Sequence, residues 1–174
     1  IEAGYEGTVL VPLVDVPAVE KAYEIGVGNS ATFTLGGALD RRFTPIELEC
    51  TVRMLASGPY YFESWGNEQD GGRTAVLQSG KIDIVLASKP VFLFDRSLFL
   101  AHGRDPKNYD LVVVKSPHCQ EQFFVAWAEK NFNVDAPGST SANLKSLGHT
   151  VCARPMYPLD GDAEYTGEVQ TFAR

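Results

Sequence analysis

Residues 46–55 (IELECTVRML) place Ile46, Leu48, Cys50, Val52 and Met54 at every second position, against Glu47, Glu49, Thr51 and Arg53. Successive side chains on a strand point to opposite faces, so this run predicts a β-strand with one buried and one wetted face. A chain that carries it must supply partner strands and a cover for the apolar side. Cys50 falls in the buried set and reads as a small core hydrophobe.

Further strands are predicted over residues 7–14, 31–35, 74–78 and 81–87, all rich in Val, Ile, Leu, Phe or Thr. Ser79-Gly80 joins the last two as a short hairpin. Ser57-Gly58-Pro59 predicts a turn that ends the alternating strand and sends residues 60–64 back as its partner. Residues 65–72 (WGNEQDGG) read as a loop. Between the first two strands, Asp15 is an N-cap candidate and Pro17 sits in the first helical turn. Ala18, Ala22 and Ile25 then repeat at helical spacing until Gly26 and Gly28 stop the run. A second short helix is predicted from Asp95 as N-cap to about His102, closed by Gly103. His102 in its last turn reads as a structural partner of the helix dipole rather than a catalytic group.

The last third changes character. Residues 111–114 (LVVV) form a continuous apolar run, the pattern of a strand buried on both faces. Ser116 and Pro117 then open a predicted helix that carries Phe123, Phe124, Trp127 and Ala128 and ends near residues 130–131. Residues 132–135 read as a strand closed by Ala136-Pro137-Gly138. Strand, helix and strand in so short a span predict a βαβ unit with parallel strands. The expected fold class is therefore α/β (α+β), a mixed β-sheet with antiparallel hairpins and one late parallel βαβ unit. Residues 1–160 are expected to form the domain, and 161–174 an extended or partly disordered tail.

Composition excludes several classes. The 174 residues are 44% hydrophobic and 21% charged, enough apolar material for a core. Fifteen Lys and Arg stand against 22 Asp and Glu, a net charge of −7 with no basic cluster. Nucleic acid and anionic membrane surfaces are therefore not expected partners, and no apolar run approaches the length of a membrane span. Three widely spaced cysteines (Cys50, Cys119, Cys152) do not make a disulfide framework, which favours a reducing, cytoplasmic location. The opening Ile-Glu-Ala-Gly carries no signal pattern and reads as the start of a mature or excised piece.

The predicted βαβ unit has a geometric consequence. Parallel strands share a carboxyl edge, where ligands tend to bind. Lys115, Ser116 and His118 would leave the first strand there, and Asp135 and Gly138 the second. The N–H groups of the intervening helix would point to the same place, and the set could hold a carboxylate or phosphate. The local alternative makes Ser116 a helix cap, Lys115 a solvated lysine and His118 a first-turn polar residue. Spacing alone leaves both open. Gly36-Gly37 could bring backbone close to a ligand or simply make a turn. No GxSxG elbow is present, Ser116 and His118 are too close in sequence to pair as nucleophile and base, and Cys119 falls on an apolar-faced helix. His102, His118 and His149 show no HxH, HExxH or HxxxH spacing, so no metal ligand and no catalytic residue is assigned in this chain.

Several stretches, in order, are VPLVDVPAVEKAYEIGVG, FTLGGALDRRF, TAVLQSGKIDIVLAS, LFDRSLFLAHGRDPKNYDLVVVKSPH, VDAPGSTSANL and RPMYPLD. This ordered set resembles the C-terminal domain of the MlrC (microcystinase C) family of zinc metallopeptidases. The Lys115-Ser116 pair and the Asp-Ala-Pro-Gly turn carry most of the likeness. Family sequences usually follow the Lys-Ser pair with a histidine and then an aromatic. Here Pro117-His118-Cys119-Gln120 intervenes and the aromatics wait until Phe123.

The resemblance implies an N-terminal catalytic domain of the same protein that supplies the zinc ligands, with zinc polarising a scissile carbonyl and activating water. This chain would then hold no cofactor. It would shape the cleft for a small peptide or amide substrate through Lys115, Ser116, His118, Asp135, Gly138, Gly36 and Gly37, and alone it would be inactive. Apolar surface left by the missing domain would favour a homo-oligomer. The alternative is a self-standing small-molecule (anion) binding or interaction module.

Overall fold

A computed structural model describes residues 4–40, 43–116, 121–136, 143–164, 167 and 170–172. The chain divides into two compact units, Ile1–Glu129 and Lys130–Arg174.

The first unit is a six-stranded mixed sheet with a helix on each face. In chain order its elements are β1 (Val9–Val14), α1 (Val16–Ile25), β2 (Ser30–Leu35), β3 (Ile46–Tyr61), β4 (Glu68–Ser79), β5 (Ile82–Ala87), α2 (Ser97–Ala101) and β6 (Leu111–Val112). The strand order is β2-β3-β4-β5-β1-β6. The β2–β3, β3–β4 and β4–β5 pairs are antiparallel, and β1 lies parallel to both β5 and β6. The mixed, mostly antiparallel sheet is the expected class.

Bulges shape this sheet. Val52 pairs with Leu77 and Met54 with Val76, which leaves Arg53 as an extra residue in β3. An extra residue bends a strand and reverses its facing. Leu48, Cys50 and Val52 accordingly pack on the α1 side, joined beyond the bulge by Leu55. Met54, in phase with them by sequence, packs on the opposite side. β2 lies along α1. Lys21 Nζ donates to the Thr32 carbonyl at 2.6 Å, and Gly36 N donates to Asp15 Oδ2 at 2.9 Å.

The second bulge corrects a predicted turn. Ser57 pairs with Arg73 and Pro59 with Asp70, so Gly58 faces both Gly71 and Gly72. Gly58 (φ 101°) and Gly72 (φ 71°) adopt backbone conformations that other residues rarely take. Ser57-Gly58-Pro59 is therefore absorbed into β3, with proline at a bulge where ladder bonds are already disrupted. The reversal falls instead at residues 62–67, and residues 68–72, read as loop, begin β4.

Two cores result. Val19, Ala22, Phe33, Cys50, Val52, Leu77 and Leu86 fill the α1 side. Leu10, Val76, Val85, Leu93, Leu98, Phe99 and Phe124 fill the other. α1 begins as predicted, with the Asp15 carboxylate accepting from Ala18 N at 3.1 Å. α2 ends in a Schellman arrangement, Arg104 N to Phe99 O and Gly103 N to Leu100 O, with Gly103 at φ 64°.

The late βαβ unit is not formed as predicted. β6 has two residues and lies at the sheet edge, with Leu111 and Val113 partly exposed rather than buried on both faces. Residues 121–130 form a 3₁₀ turn, Glu121–Phe123, and further turns instead of an α-helix. Phe123, Phe124, Val125 and Trp127 have only middling helix propensity, and a short helix needs tertiary support along its length. Here support concentrates on Phe124, with Phe123 and Trp127 packed beside it. Residues 132–135 form no strand, and Phe132 and Val134 are exposed. Alternation alone does not supply a partner edge. The parallel pairing comes from β1 instead.

In the second unit Asp160 gathers the chain locally. It accepts from Arg154 Nε at 2.6 Å, from Arg154 Nη2, and from Met156 N at 2.7 Å.

Candidate functional site

β1, β5 and β6 run in one direction, so their carboxyl ends share one end of the sheet. Asp15 follows β1 there. Its side chain is buried, and its two oxygens divide their work between the α1 N-terminus and Gly36. The Gly36-Gly37 turn is thereby fastened to this end. Gly37 (φ 71°) has no room for a side chain, since a Cβ would stand 2.8 Å from the Phe43 carbonyl oxygen. Gly36 (φ 82°) faces open space.

The segment after β5 adds a second piece. Ser88 N and Lys89 N both donate to the Gly71 carbonyl, which seats this segment on the β4 bulge. A Cβ on Gly72 would lie 2.4 Å from Ser88 Oγ, so glycine is required for the approach. Lys89 pairs with Asp70, and that hydrogen bond holds the Asp70 carboxyl below its ordinary range. Lys115 and Ser116 follow β6 at the same end, Lys115 exposed and Ser116 half-buried.

Of the predicted residues, Lys115, Ser116, Gly36 and Gly37 thus collect at one end of the sheet. Asp135 lies in the second unit, exposed, where it accepts from Asn143 Nδ2 at 3.4 Å. His118 and Gly138 lie outside the described residues. The predicted helix N-terminus at Pro117 does too. This end offers an ammonium, hydroxyls and a glycine turn, a rim that could bind and orient a polar substrate.

Sequence reasoning missed a polar cluster at the opposite end. Asp83, only 7% exposed, accepts from Tyr109 Oη at 2.6 Å. Arg104 Nε lies 2.7 Å from the same oxygen, although its N–H is not directed at it. Burial and the bond to Asp83 push the Tyr109 phenol above its ordinary value. These groups line an open cleft of about 350 Å³ with Thr8, Lys81 and Asn108. The available signal was Asp83 itself, an acid inside the apolar run IDIVLA.

His102 is structural. It is buried, with Nδ1 2.6 Å from the Leu98 carbonyl and Nε2 2.7 Å from Thr74 Oγ1. Nδ1 therefore donates to the carbonyl, and Nε2 competes for the single Thr74 hydroxyl proton with the Ala56 carbonyl, 3.1 Å from Oγ1. Burial, aided by Arg104, holds its pKa below the ordinary value.

Among the described residues no three His, Cys, Asp or Glu side chains come together as a metal-binding group. The donor set that zinc would need is not offered by them. Among the same residues no helix is long and apolar enough to cross a membrane.

Comparison with known proteins adds three findings. A family model described as MlrC C-terminus matches residues 1–151. No curated protein matches. A candidate metallopeptidase from Mesorhizobium sp. BNC1, solved by crystallography, is similar with a TM-score of 0.79 and 28% identity. The similarity covers 91% of this chain but 32% of that one, so the chain spans about a third of the relative's length.

Proposed function

From the premise that the chain belongs to the MlrC C-terminal family, we propose that it serves as the C-terminal domain of a zinc-dependent, metallopeptidase-like hydrolase. In this reading an N-terminal domain of the same protein holds the metal, and the present chain forms one wall of the cleft. The observation that carries it is the match of the chain to a C-terminal family and to about a third of a candidate metallopeptidase.

The chain's contribution is to bind and orient. Lys115 would meet a carboxylate or a carbonyl of a peptide or amide substrate. Ser116 and the Gly36-Gly37 turn would bound the same rim. A cytoplasmic setting is part of this reading, because Cys50, Cys119 and Cys152 lack the dense spacing of a disulfide framework.

The test uses two polypeptides, the 174-residue chain and the protein with its preceding domain. The chain alone is expected to retain no stoichiometric zinc and to hydrolyse no peptide. The longer protein is expected to do both, and Lys115→Ala in it should raise KM with little change in kcat. Tight zinc or hydrolysis by the chain alone would overturn the proposal. Phosphate or carboxylate binding by the chain alone, lost in Lys115→Ala, would favour a self-standing anion-binding module.

A further inference from the structure

The end of β3 and the segment before α2 hold a stack of aromatic rings at the surface. The Trp65 and Phe94 ring centroids are 4.7 Å apart, and Phe92 stacks on Phe94 at 5.2 Å with planes 12° from parallel. Phe62 packs beneath Trp65 and Phe94 and is itself buried. Trp65 and Phe92 nevertheless remain 56% and 61% exposed.

The backbone under these rings is fastened with unusual care. Asp95, whose side chain is buried, accepts from Ser64 N at 2.8 Å, Ser64 Oγ at 2.6 Å and Ser97 N at 2.8 Å. Ser97 Oγ accepts from Glu63 N at 2.7 Å. Arg96 grips the Glu63 carboxylate with two N–H groups. Burying a carboxylate is unfavourable unless its oxygens are satisfied. Here that network fixes rings that stay half in water, where they contribute little to the fold. Rigid, exposed aromatics are the groups that gain most when a partner covers them.

We infer that this aromatic platform is a docking surface for the preceding domain of the same polypeptide. The inference rests on the two-part reading proposed above. That occupant is favoured because about two thirds of the Mesorhizobium relative lies outside the matched region, and the matching family is a C-terminal one. The partner surface would be apolar at its centre, with polar groups facing Glu63 and Arg96 at the margin.

Hydroxyl-radical footprinting, read by mass spectrometry, tests this on the protein with its preceding domain. Each ring is compared with itself in the urea-unfolded protein, and buried Phe99 sets the value for a core ring. Trp65 and Phe92 should be protected on the order of tenfold or more, near Phe99. Modification close to the unfolded rate would overturn the inference. Protection that vanishes on dilution would assign the surface to a second copy and overturn it as well. So would protection that appears only when a peptide substrate is added. The zinc content of the same sample separates the two failures. Bound zinc with open rings defeats the docking surface alone, whereas absence of zinc defeats the two-part reading.

Discussion

The two units of this chain use similar amino acids to different ends. In Ile1–Glu129 apolar residues find partners on other elements, as Phe33 of β2 does with Val19 of α1 and Leu77 of β4 in one core. In Lys130–Arg174 Phe132, Val134, Val151 and Tyr157 are exposed, and order comes from local groups such as Arg154 and Asp160. An apolar pattern becomes stability only where a complementary surface meets it. Substitutions in the first unit should therefore be felt globally, and those in the second only locally.

The largest effect is expected from Phe33→Ala, which empties a fully buried ring site. It should lower unfolding free energy by about 3–5 kcal/mol, read from the urea midpoint, whereas Val151→Ala should leave that midpoint in place. Equal shifts would erase the contrast between the units. Asp95→Ala comes next, since it removes the acceptor of three hydrogen bonds. A loss of about 2–4 kcal/mol is expected, with Asp95→Asn milder because the amide keeps one acceptor oxygen. Third is Gly72→Ala, strained by its backbone angle and by Ser88. It should cost about 1–3 kcal/mol, while Gly36→Ala, in open space, should cost less.

A smaller effect depends on pH. His102 is held below its ordinary pKa of 6.5, chiefly by burial. As pH falls below that value the unfolded chain takes up a proton that the folded one resists, so stability drops. The loss continues until pH passes the depressed folded value. His102→Gln should flatten this part of the urea-midpoint profile, and an unchanged slope would remove His102 as its source. Smallest of all is Asp160→Ala. It removes the acceptor of the Arg154 and Met156 contacts, so amide exchange near residue 156 should quicken while the sheet unit melts unchanged.

Much of the first unit is legible in residues taken locally. The Asp15 cap and the stop at Gly26 follow from chemistry within a few positions, and so does the hairpin after β4, although its loop is Gly80-Lys81, one residue on from the expected Ser79-Gly80. The candidate rim was legible in part. Lys115 and Ser116 do follow a strand parallel to β1, and Gly36 does belong to the same end. Asp135 was joined to them through a helix and strand that did not form. The missed Asp83 cluster depends on Arg104 and Tyr109, more than twenty residues away.

By itself the sequence determined the hairpin strands of the first unit, the first helix with its cap and its stop, and the family to which the chain belongs. Propensity, capping and the restricted angles of proline act over a few residues and can be read there. The tertiary structure decided which face Met54 serves, that Gly58-Pro59 is a bulge instead of a turn, that 111–114 lies at an edge, and that Asp15 reaches Gly36. Those outcomes depend on register and on partners distant in the chain, and a strand's pattern is equally compatible with several partners until packing selects one.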